Sequence, residues 1–281
     1  MDAAEVAELL DGPDCDIDIQ MIEASDGFSL KVYIFTPKSA TDSCPVVFIP
    51  GWTSVMDGWA PLLSKWVEKR KIYYIETREK RSALAPKKRL KANDFAMSRH
   101  IDDLEAVCNS LALPNDALWF ASSLGATVVL HGMMENRLHG KGAFLISPNS
   151  KFRFSGWKVP LTWLPWWFYP PMIRIFMPYL KFRLKERAQY LRYRRTLLNA
   201  NVFRLKRSLQ SNRRYDLPSD FGNVPCPVAI CVAASDTLHT GDDSHGIANQ
   251  LPKGQLVEVE SNQYAHEADV IADIDAWELG L

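Results

Sequence analysis

The chain has 281 residues, 47% of them hydrophobic, so it can bury a large core, and one domain with an insertion is expected. Basic and acidic residues balance at 33 each, so the bulk charge indicates no particular partner. The five cysteines show no metal-ligand spacing and imply no disulfide framework, which favours a reducing compartment.

Short apolar runs alternate with helical patterns along the chain. Apolar residues alternate on both sides of Asp26-Gly27, which predicts an antiparallel hairpin. Val46–Ile49 and Ile72–Ile75 are continuously apolar, as is typical of strands covered on both faces of a sheet. Further strands are predicted at 117–120, 142–146, 227–234 and 255–260, and helices at 58–69, 97–111, 126–130 and 269–279. This order predicts the α/β class, with a mostly parallel central sheet flanked by helices.

Two charged features accompany these elements. The segment 76–82 follows the strand at 72–75 and is predicted to be a charged surface connection without a catalytic role. His100 is predicted to lie on the polar side of its helix.

Two adjacent serines, Ser122 and Ser123, lie between a predicted strand and a predicted helix. A sharp strand–turn–helix connection presents one serine hydroxyl as a nucleophile, and it needs small residues two positions before and two after that serine. Ser123 has Ala121 and Gly125 at those positions, whereas Ser122 would have two bulky ones. The register therefore favours Ser123 as the nucleophile. The alternative is a serine that only caps the following helix.

Candidate partners of Ser123 follow two later strands. A serine nucleophile needs a histidine to take its proton and a carboxylate to orient that histidine, here in the chain order serine, acid, histidine. Asp236 comes directly after one predicted strand and His266 follows the next. Because ligands and catalytic groups gather at the carboxyl ends of parallel strands, we expect both side chains near Ser123. His239 is the alternative base.

With these motifs the chain resembles the α/β-hydrolase superfamily over nearly its full length. Asp236-Thr237-Leu238 is similar to the acid turn of that family, and Ala265-His266-Glu267 is similar to its Gly-His-Glu. The resemblance implies an oxyanion hole made of two backbone N–H groups. One would belong to Leu124, and the other to the loop after the third strand, where Trp52 is the candidate.

The segment 151–223 interrupts the alternation of strands and helices, at the place where many α/β-hydrolases carry a helical cap. We therefore expect a core of residues 1–150 and 224–281, with a cap (lid) insertion at 151–223. Eleven aromatic residues lie between Phe152 and Phe182 and suit the wall of an apolar substrate pocket. The residues predicted to line that pocket are Trp163, Trp166, Trp167 and Phe168.

The second half of this insertion is basic: twelve Lys or Arg residues and a single acid lie between Lys181 and Arg214. Beside the aromatic segment, this composition is typical either of a solvated helix face or of peripheral contact with a membrane. Apolar residues recur through the run at helical intervals, which favours docked helices over binding to nucleic acid.

Other features limit cofactor and location. There is no cluster of cysteine and histidine and no glycine-rich phosphate loop, so neither a metal nor a nucleotide cofactor is expected. The acidic N-terminus lacks the pattern of a signal peptide, and no run of about 18 apolar residues occurs. We expect a cytoplasmic protein, with membrane contact only at its periphery.

The predicted function is that of a serine hydrolase of carboxylic esters, similar to carboxylesterases and lipases. Its substrate is a small-molecule ester or lipid with a hydrophobic acyl or alcohol part, cleaved through an acyl-enzyme. One alternative keeps the same triad but acts on thioesters or transfers the acyl group to another acceptor. The other is a non-catalytic member of the fold that binds lipid or membrane.

Overall fold

The computed structural model describes residues 1–152, 162–184, 186–233 and 241–281. Its strands are β1 (Cys15–Glu23), β2 (Ser29–Pro37), β3 (Val46–Ile49), β4 (Ile72–Ile75), β5 (Leu118–Ser122), β6 (Gly142–Ile146), β7 (Val228–Ala233) and β8 (Gly254–Val259). Its α-helices are α1 (Ala3–Leu9), α2 (Ala60–Trp66), α3 (Met97–Ser110), α4 (Leu124–Met134), α5 (Tyr169–Arg183), α6 (Arg187–Asn199), α7 (Val202–Asn212), α8 (Gly241–Gln250) and α9 (Val270–Glu278).

The strands form one eight-stranded sheet in the order β1-β2-β4-β3-β5-β6-β7-β8. The pairs β1–β2 and β2–β4 are antiparallel, and every pair from β4 through β8 is parallel. The predicted hairpin is present, with Cys15 opposite Pro37 at its open end. The predicted α/β class with a mostly parallel sheet is therefore confirmed.

The core occupies both faces of this sheet because successive side chains of a strand point to opposite sides. In β3, Val47 and Ile49 pack on the face covered by α3, α4 and α8. Val46 and Phe48 pack on the face covered by α1, α2 and α9. Because both faces are covered, a parallel strand has no solvent-exposed face, which explains the continuous apolar runs of the sequence.

The helix α1 was not predicted. Its signal is a capping box: the Asp2 carboxylate accepts the Glu5 N–H and the Glu5 carboxylate accepts the Asp2 N–H. Val6 and Leu10 then pack into the core beside α2. The acidic start of the chain thus forms a capped helix.

Between β6 and β7 lie the helices α5, α6 and α7, and we call residues 162–212 the cap segment. Its helices α5, α6 and α7 share a small apolar cluster that includes Tyr169, Ile173 and Leu205. Trp52, from the loop after β3, packs against the same cluster. Hence the cap segment lies directly over the loop after β3. No helix among the described ranges has the length and apolar character needed to cross a bilayer.

All five cysteines are free thiols. Cys226 and Cys231 are buried, as expected for a residue just before β7 and one within it. Burial raises the pKa of the Cys226 thiol to about 11 and that of Cys231 to about 12. Both thiols are therefore held in the neutral form, as apolar core groups.

Candidate active site

The candidate site lies where the direction of chain winding in the sheet reverses. From β3 the chain crosses to β4 on one side, and from β4 it returns to β5 on the other side of β3. The loops that leave the carboxyl ends of β3 and β5 therefore diverge and leave a crevice between them. The loop after β3 carries Gly51 and Trp52, and the turn after β5 carries Ser123. Gly51 is so close that a Cβ on it would lie 3.4 Å from the Cβ of Ser123.

Ser123 forms the predicted sharp turn between strand β5 and helix α4. Its backbone has φ of 50° and ψ of −115°, a conformation that residues other than glycine rarely adopt. Such a backbone costs on the order of 1–3 kcal/mol and persists only where the surroundings impose it. Ser123 is partly exposed, whereas the neighbouring Ser122 is buried. The turn therefore presents Ser123 to the crevice and keeps Ser122 in the sheet.

The absence of a side chain at Gly125 makes this turn possible. A Cβ at Gly125 would lie 2.5 Å from the carbonyl oxygen of Ile49 and 2.8 Å from that of Pro50. The start of α4 thus packs on the backbone of β3 with no space for a side chain. The sequence argument from small flanking residues agrees with this contact.

Two polar side chains support the Ser123 turn. The side-chain amide of Asn149, which follows β6, donates to Ser123 Oγ at 3.4 Å. The Thr127 hydroxyl donates to the carbonyl oxygen of Ser123 at 3.2 Å and accepts the Asn149 N–H at 2.9 Å. Asn149 therefore connects the end of β6 to the candidate nucleophile. Sequence reasoning missed it, although it too follows the carboxyl end of a parallel strand.

The buried carboxylate of Glu79 holds the backbone of the loop after β3. Thr53 has φ of 52°, and its N–H donates to Glu79 Oε1 at 3.0 Å. The Thr77 hydroxyl donates to the same oxygen at 2.8 Å. Glu79 and Thr77 are buried. The carboxylate thereby fixes the backbone next to Trp52, the candidate oxyanion-hole residue.

The prediction of a surface connection at 76–82 is wrong for residues 76–80, which are all buried, whereas Arg81 is exposed. Arg78 is fully buried and forms two hydrogen bonds to the carboxylate of Asp103, at 2.6 and 2.5 Å. It also donates to Asp26 at 2.9 Å and to the carbonyl oxygen of Asp94. A buried guanidinium is tolerated when its donors are satisfied in this way. The partners come from distant parts of the chain, so the local sequence contains no sign of them.

His266 lies in a short 3-10 turn after β8. Its ring stacks on the buried indole of Trp59, with ring centroids 4.1 Å apart and 23° between the planes. Its Nδ1 lies 2.8 Å from the carbonyl oxygen of Asn262. Because a carbonyl oxygen only accepts, Nδ1 carries the hydrogen in this contact, and Nε2 of the neutral ring carries the lone pair. The ring is thus held in the tautomer in which Nε2 can accept a proton.

The loop before His266 is held by the cap segment. Glu186, the residue before α6, accepts the N–H of Asn262 at 3.2 Å and that of Gln263 at 2.9 Å. Arg192, within α6, donates to Asn262 Oδ1 at 2.5 Å. Two charged cap side chains therefore fix the residue whose carbonyl orients His266. Neither was predicted, since they lie in the basic run and are far from His266 in sequence.

The other predicted site residues are the two oxyanion-hole candidates, the acid and the alternative base. Leu124 is the first residue of α4, at the position expected for an oxyanion-hole N–H. Trp52 lies in the loop beside Ser123, with its indole N–H donating to Ser208 Oγ of α7 at 3.1 Å. The catalytic roles of these residues stay predictions. The acid candidate Asp236 and the alternative base His239 lie outside the described residues.

The four aromatic residues assigned to a substrate pocket are all exposed, and their role in a pocket stays a prediction. Trp166, Trp167 and Phe168 form the short turn that leads into α5. Trp163 precedes them and stacks with the guanidinium of Arg213. Side chains that line a ligand pocket surround the ligand and bury most of its surface. These four side chains are instead largely exposed to solvent. Within the described ranges, no three potential metal-binding side chains of His, Cys, Asp or Glu come together.

Comparison with known proteins identifies the fold. No protein-family model and no curated protein matches the chain. Solved structures match it over almost its whole length. An esterase from Exiguobacterium antarcticum has a TM-score of 0.74 at 14% identity, covering 92% of this chain and 98% of its own. A bromoperoxidase from Bacillus anthracis has a TM-score of 0.72 at 12% identity, covering 94% and 100%.

An enol-lactonase from Burkholderia xenovorans LB400 is similar to the same degree, with a TM-score of 0.71 at 13% identity and coverage of 94% and 97%. These proteins carry different names for their chemistry, so the likeness concerns architecture. The eight-stranded sheet, the turn at Ser123 and these neighbours together show that the chain has the α/β-hydrolase fold.

Proposed function

We propose that this chain is a serine hydrolase that cleaves carboxylic esters with a hydrophobic acyl or alcohol part. The observation that carries the proposal is the strained turn at Ser123, which presents a hydroxyl at the switch point of a parallel sheet. A backbone with φ of 50° at a serine costs conformational free energy, and a serine that only caps a helix does not need this conformation. This favours a nucleophile over the alternative of a capping serine.

In the proposed mechanism Ser123 Oγ attacks the ester carbonyl carbon while Nε2 of His266 takes the hydroxyl proton. The tautomer set by the Asn262 carbonyl places the ring lone pair on Nε2, the atom that takes that proton. Stacking on Trp59 holds the ring plane and favours the imidazolium that forms, because the face of an indole attracts a cation. Asp236 is assigned by sequence order to stabilise this imidazolium.

The backbone N–H groups of Leu124 and Trp52 are proposed to bind the oxyanion. Loss of one such donor costs about 3–4 kcal/mol of transition-state stabilisation in comparable sites. His266 then gives the proton to the leaving alcohol, and an activated water releases the acid from the acyl-enzyme. The preference for a hydrophobic substrate rests on Trp52, which packs against the apolar cluster of the cap segment beside Ser123.

The test is hydrolysis of a p-nitrophenyl ester series, from acetate to palmitate, by the parent and the Ser123→Ala variant. We expect turnover to vanish in Ser123→Ala with the fold retained, and the chain-length optimum to report the size of the acyl site. Ser122→Ala is the matched control, because this neighbouring serine is buried in β5. A serine-directed fluorophosphonate probe should label the parent and Ser122→Ala but not Ser123→Ala.

Two results would count against the proposal. If Ser122→Ala loses turnover and labelling while Ser123→Ala keeps both, the register of the nucleophile is wrong. If the folded parent hydrolyses no ester and takes up no probe, the hydrolase assignment itself is wrong. Labelling without ester hydrolysis would refute the ester substrate and favour thioesters or transfer to another acceptor, which product analysis with acyl-CoA would then measure.

A further inference from the structure

Helix α5 has two apolar faces, of which only one is covered. Tyr169, Ile173 and Met177 point inward, spaced four residues apart, and belong to the apolar cluster of the cap segment. On the other side, Ile175, Tyr179 and Phe182 follow the i, i+4, i+7 spacing of a single helix face. Ile175 is 80% exposed and Phe182 is 90% exposed. The outer face is therefore apolar and exposed, and a contiguous exposed apolar patch is typical of an interaction site.

The exposed aromatic residues extend beyond α5 to the turn that precedes it. Trp163 is 64% exposed and Trp167 is 57% exposed, and Trp167 stacks on Phe168 at 4.1 Å. We call this set the aromatic surface; it consists of Trp163, Trp166, Trp167, Phe168, Ile175, Phe176, Tyr179 and Phe182. Large side chains with an apolar body and, in Trp and Tyr, a polar edge suit the boundary between water and hydrocarbon.

The charged side chains of α5 have one sign. The helix carries Arg174, Lys181 and Arg183 and no Asp or Glu, although the whole chain has no net charge. All three cations are exposed. They flank the apolar face of the helix, so an apolar centre has a cationic edge. This is the charge pattern complementary to an anionic surface.

We propose that the aromatic surface docks this protein on a lipid bilayer that contains anionic lipids. Helix α5 has 15 residues, so it is too short to cross a bilayer and would lie in the plane of the interface. A membrane explains both the apolar face and the cationic edge, because acyl chains take the first and headgroups the second.

Docking in this orientation brings the lipid close to the candidate active site. The inner face of α5 belongs to the same cluster as Trp52, which is next to the loop at Ser123. One helix, about 10 Å across with its side chains, therefore separates the docked face from that cluster.

The experiment measures binding to vesicles and uses the Ser123→Ala protein throughout, so its result does not depend on whether the chain is an esterase. Sedimentation with vesicles of phosphatidylcholine containing about 30% phosphatidylglycerol should show binding that weakens as salt rises from about 0.05 to about 0.5 M. Added Ile175→Asp and Phe182→Asp changes should together reduce vesicle affinity by about tenfold or more. The matched control is Leu279→Asp, since Leu279 is also 90% exposed but lies after α9.

A second variant separates charge from apolar contact. Arg174→Gln with Lys181→Gln should weaken binding to the anionic vesicles by about tenfold and change binding to pure phosphatidylcholine little. The proposal is overturned if the parent does not bind anionic vesicles, or if the aspartate variants and the Leu279→Asp control bind equally well. It is also overturned if the protein binds no vesicles and instead self-associates with rising concentration in a way that Phe182→Asp abolishes, because the occupant is then a second copy.

Discussion

A methyl group added at Gly125 should damage both stability and catalysis, because the helix start that carries Ser123 has no space for it. In Gly125→Ala the new Cβ would meet the Ile49 carbonyl oxygen at 2.5 Å, the Pro50 carbonyl oxygen at 2.8 Å and Ile49 Cγ2 at 2.9 Å. Two of these three atoms are backbone atoms of β3 and the residue after it, so no side-chain rotation can relieve the contact.

The size of the effect follows from the displacement that is needed. Restoring an ordinary contact requires α4 and β3 to separate by about 0.9 Å, and overpacking of this kind costs about 1–3 kcal/mol. For a chain of this size each kcal/mol lowers the unfolding temperature by about 2–4 °C. The separation moves Ser123 and the Leu124 N–H relative to the loop after β3. A misplacement of about 1 Å in reacting groups costs on the order of 100-fold in rate, so ester turnover should fall by about that factor.

The assay is thermal unfolding by circular dichroism combined with p-nitrophenyl ester turnover, and Gly246→Ala is the control. Gly246 lies inside α8, and nothing is within 4 Å of the position of its missing Cβ. There the alanine should raise the free energy of unfolding by about 0.5–1 kcal/mol through helix propensity and leave turnover unchanged. The reasoning is refuted if Gly125→Ala has the unfolding temperature and turnover of the parent, or if both variants shift stability in the same direction.

Two further predictions concern buried and connecting groups. Burial lowers the pKa of His100 to about 4, so below pH 6.5 the unfolded chain binds a proton that the folded chain does not, and stability falls as the pH drops from 6.5 toward 4. Urea unfolding at pH 7 and pH 5 should therefore differ by about 2 kcal/mol more in the parent than in His100→Leu, and equal differences would contradict the burial argument. Glu186→Ala removes the acceptor of the Asn262 and Gln263 N–H groups and should lower ester turnover about tenfold with little change in unfolding temperature, because His266 loses orientation. Glu186→Gln keeps an acceptor and should recover part of the rate; parent turnover in both variants would show that the cap does not position the base.

Most of the sheet could be predicted from the sequence because its signals are local. The strands Val46–Ile49 and Ile72–Ile75 have the predicted bounds. A short, continuously apolar run is typical of a parallel strand that is covered on both faces. The register of the turn could be predicted as well, because the need for small residues falls at fixed positions, two before and two after the serine. The atoms that require the space at Gly125 belong to Ile49 and Pro50, which are distant in sequence.

The errors concern groups whose partners are distant in sequence. His100 was expected on the polar side of its helix, yet it is buried next to the charged segment after β4. That segment was itself expected at the surface. Arg78 is buried because Asp26 and Asp103 neutralise it, and neither is within 20 residues of it. A charge pattern read along the chain does not contain such pairings, so it predicts exposure wherever they occur.

The same distinction applies within the candidate active site. Ser123 is fixed by β5, β3 and α4, all of which belong to the core. The loop of Trp52 is fixed by Glu79 and by Ser208 of the cap segment, and the loop of His266 by Glu186 of the cap segment. The described supports of the candidate nucleophile therefore belong to the core, whereas the predicted oxyanion-hole and base loops also depend on how the cap segment is seated. This is why Ser123 could be proposed from a pentapeptide, while the supports of its predicted partners became visible only in the fold.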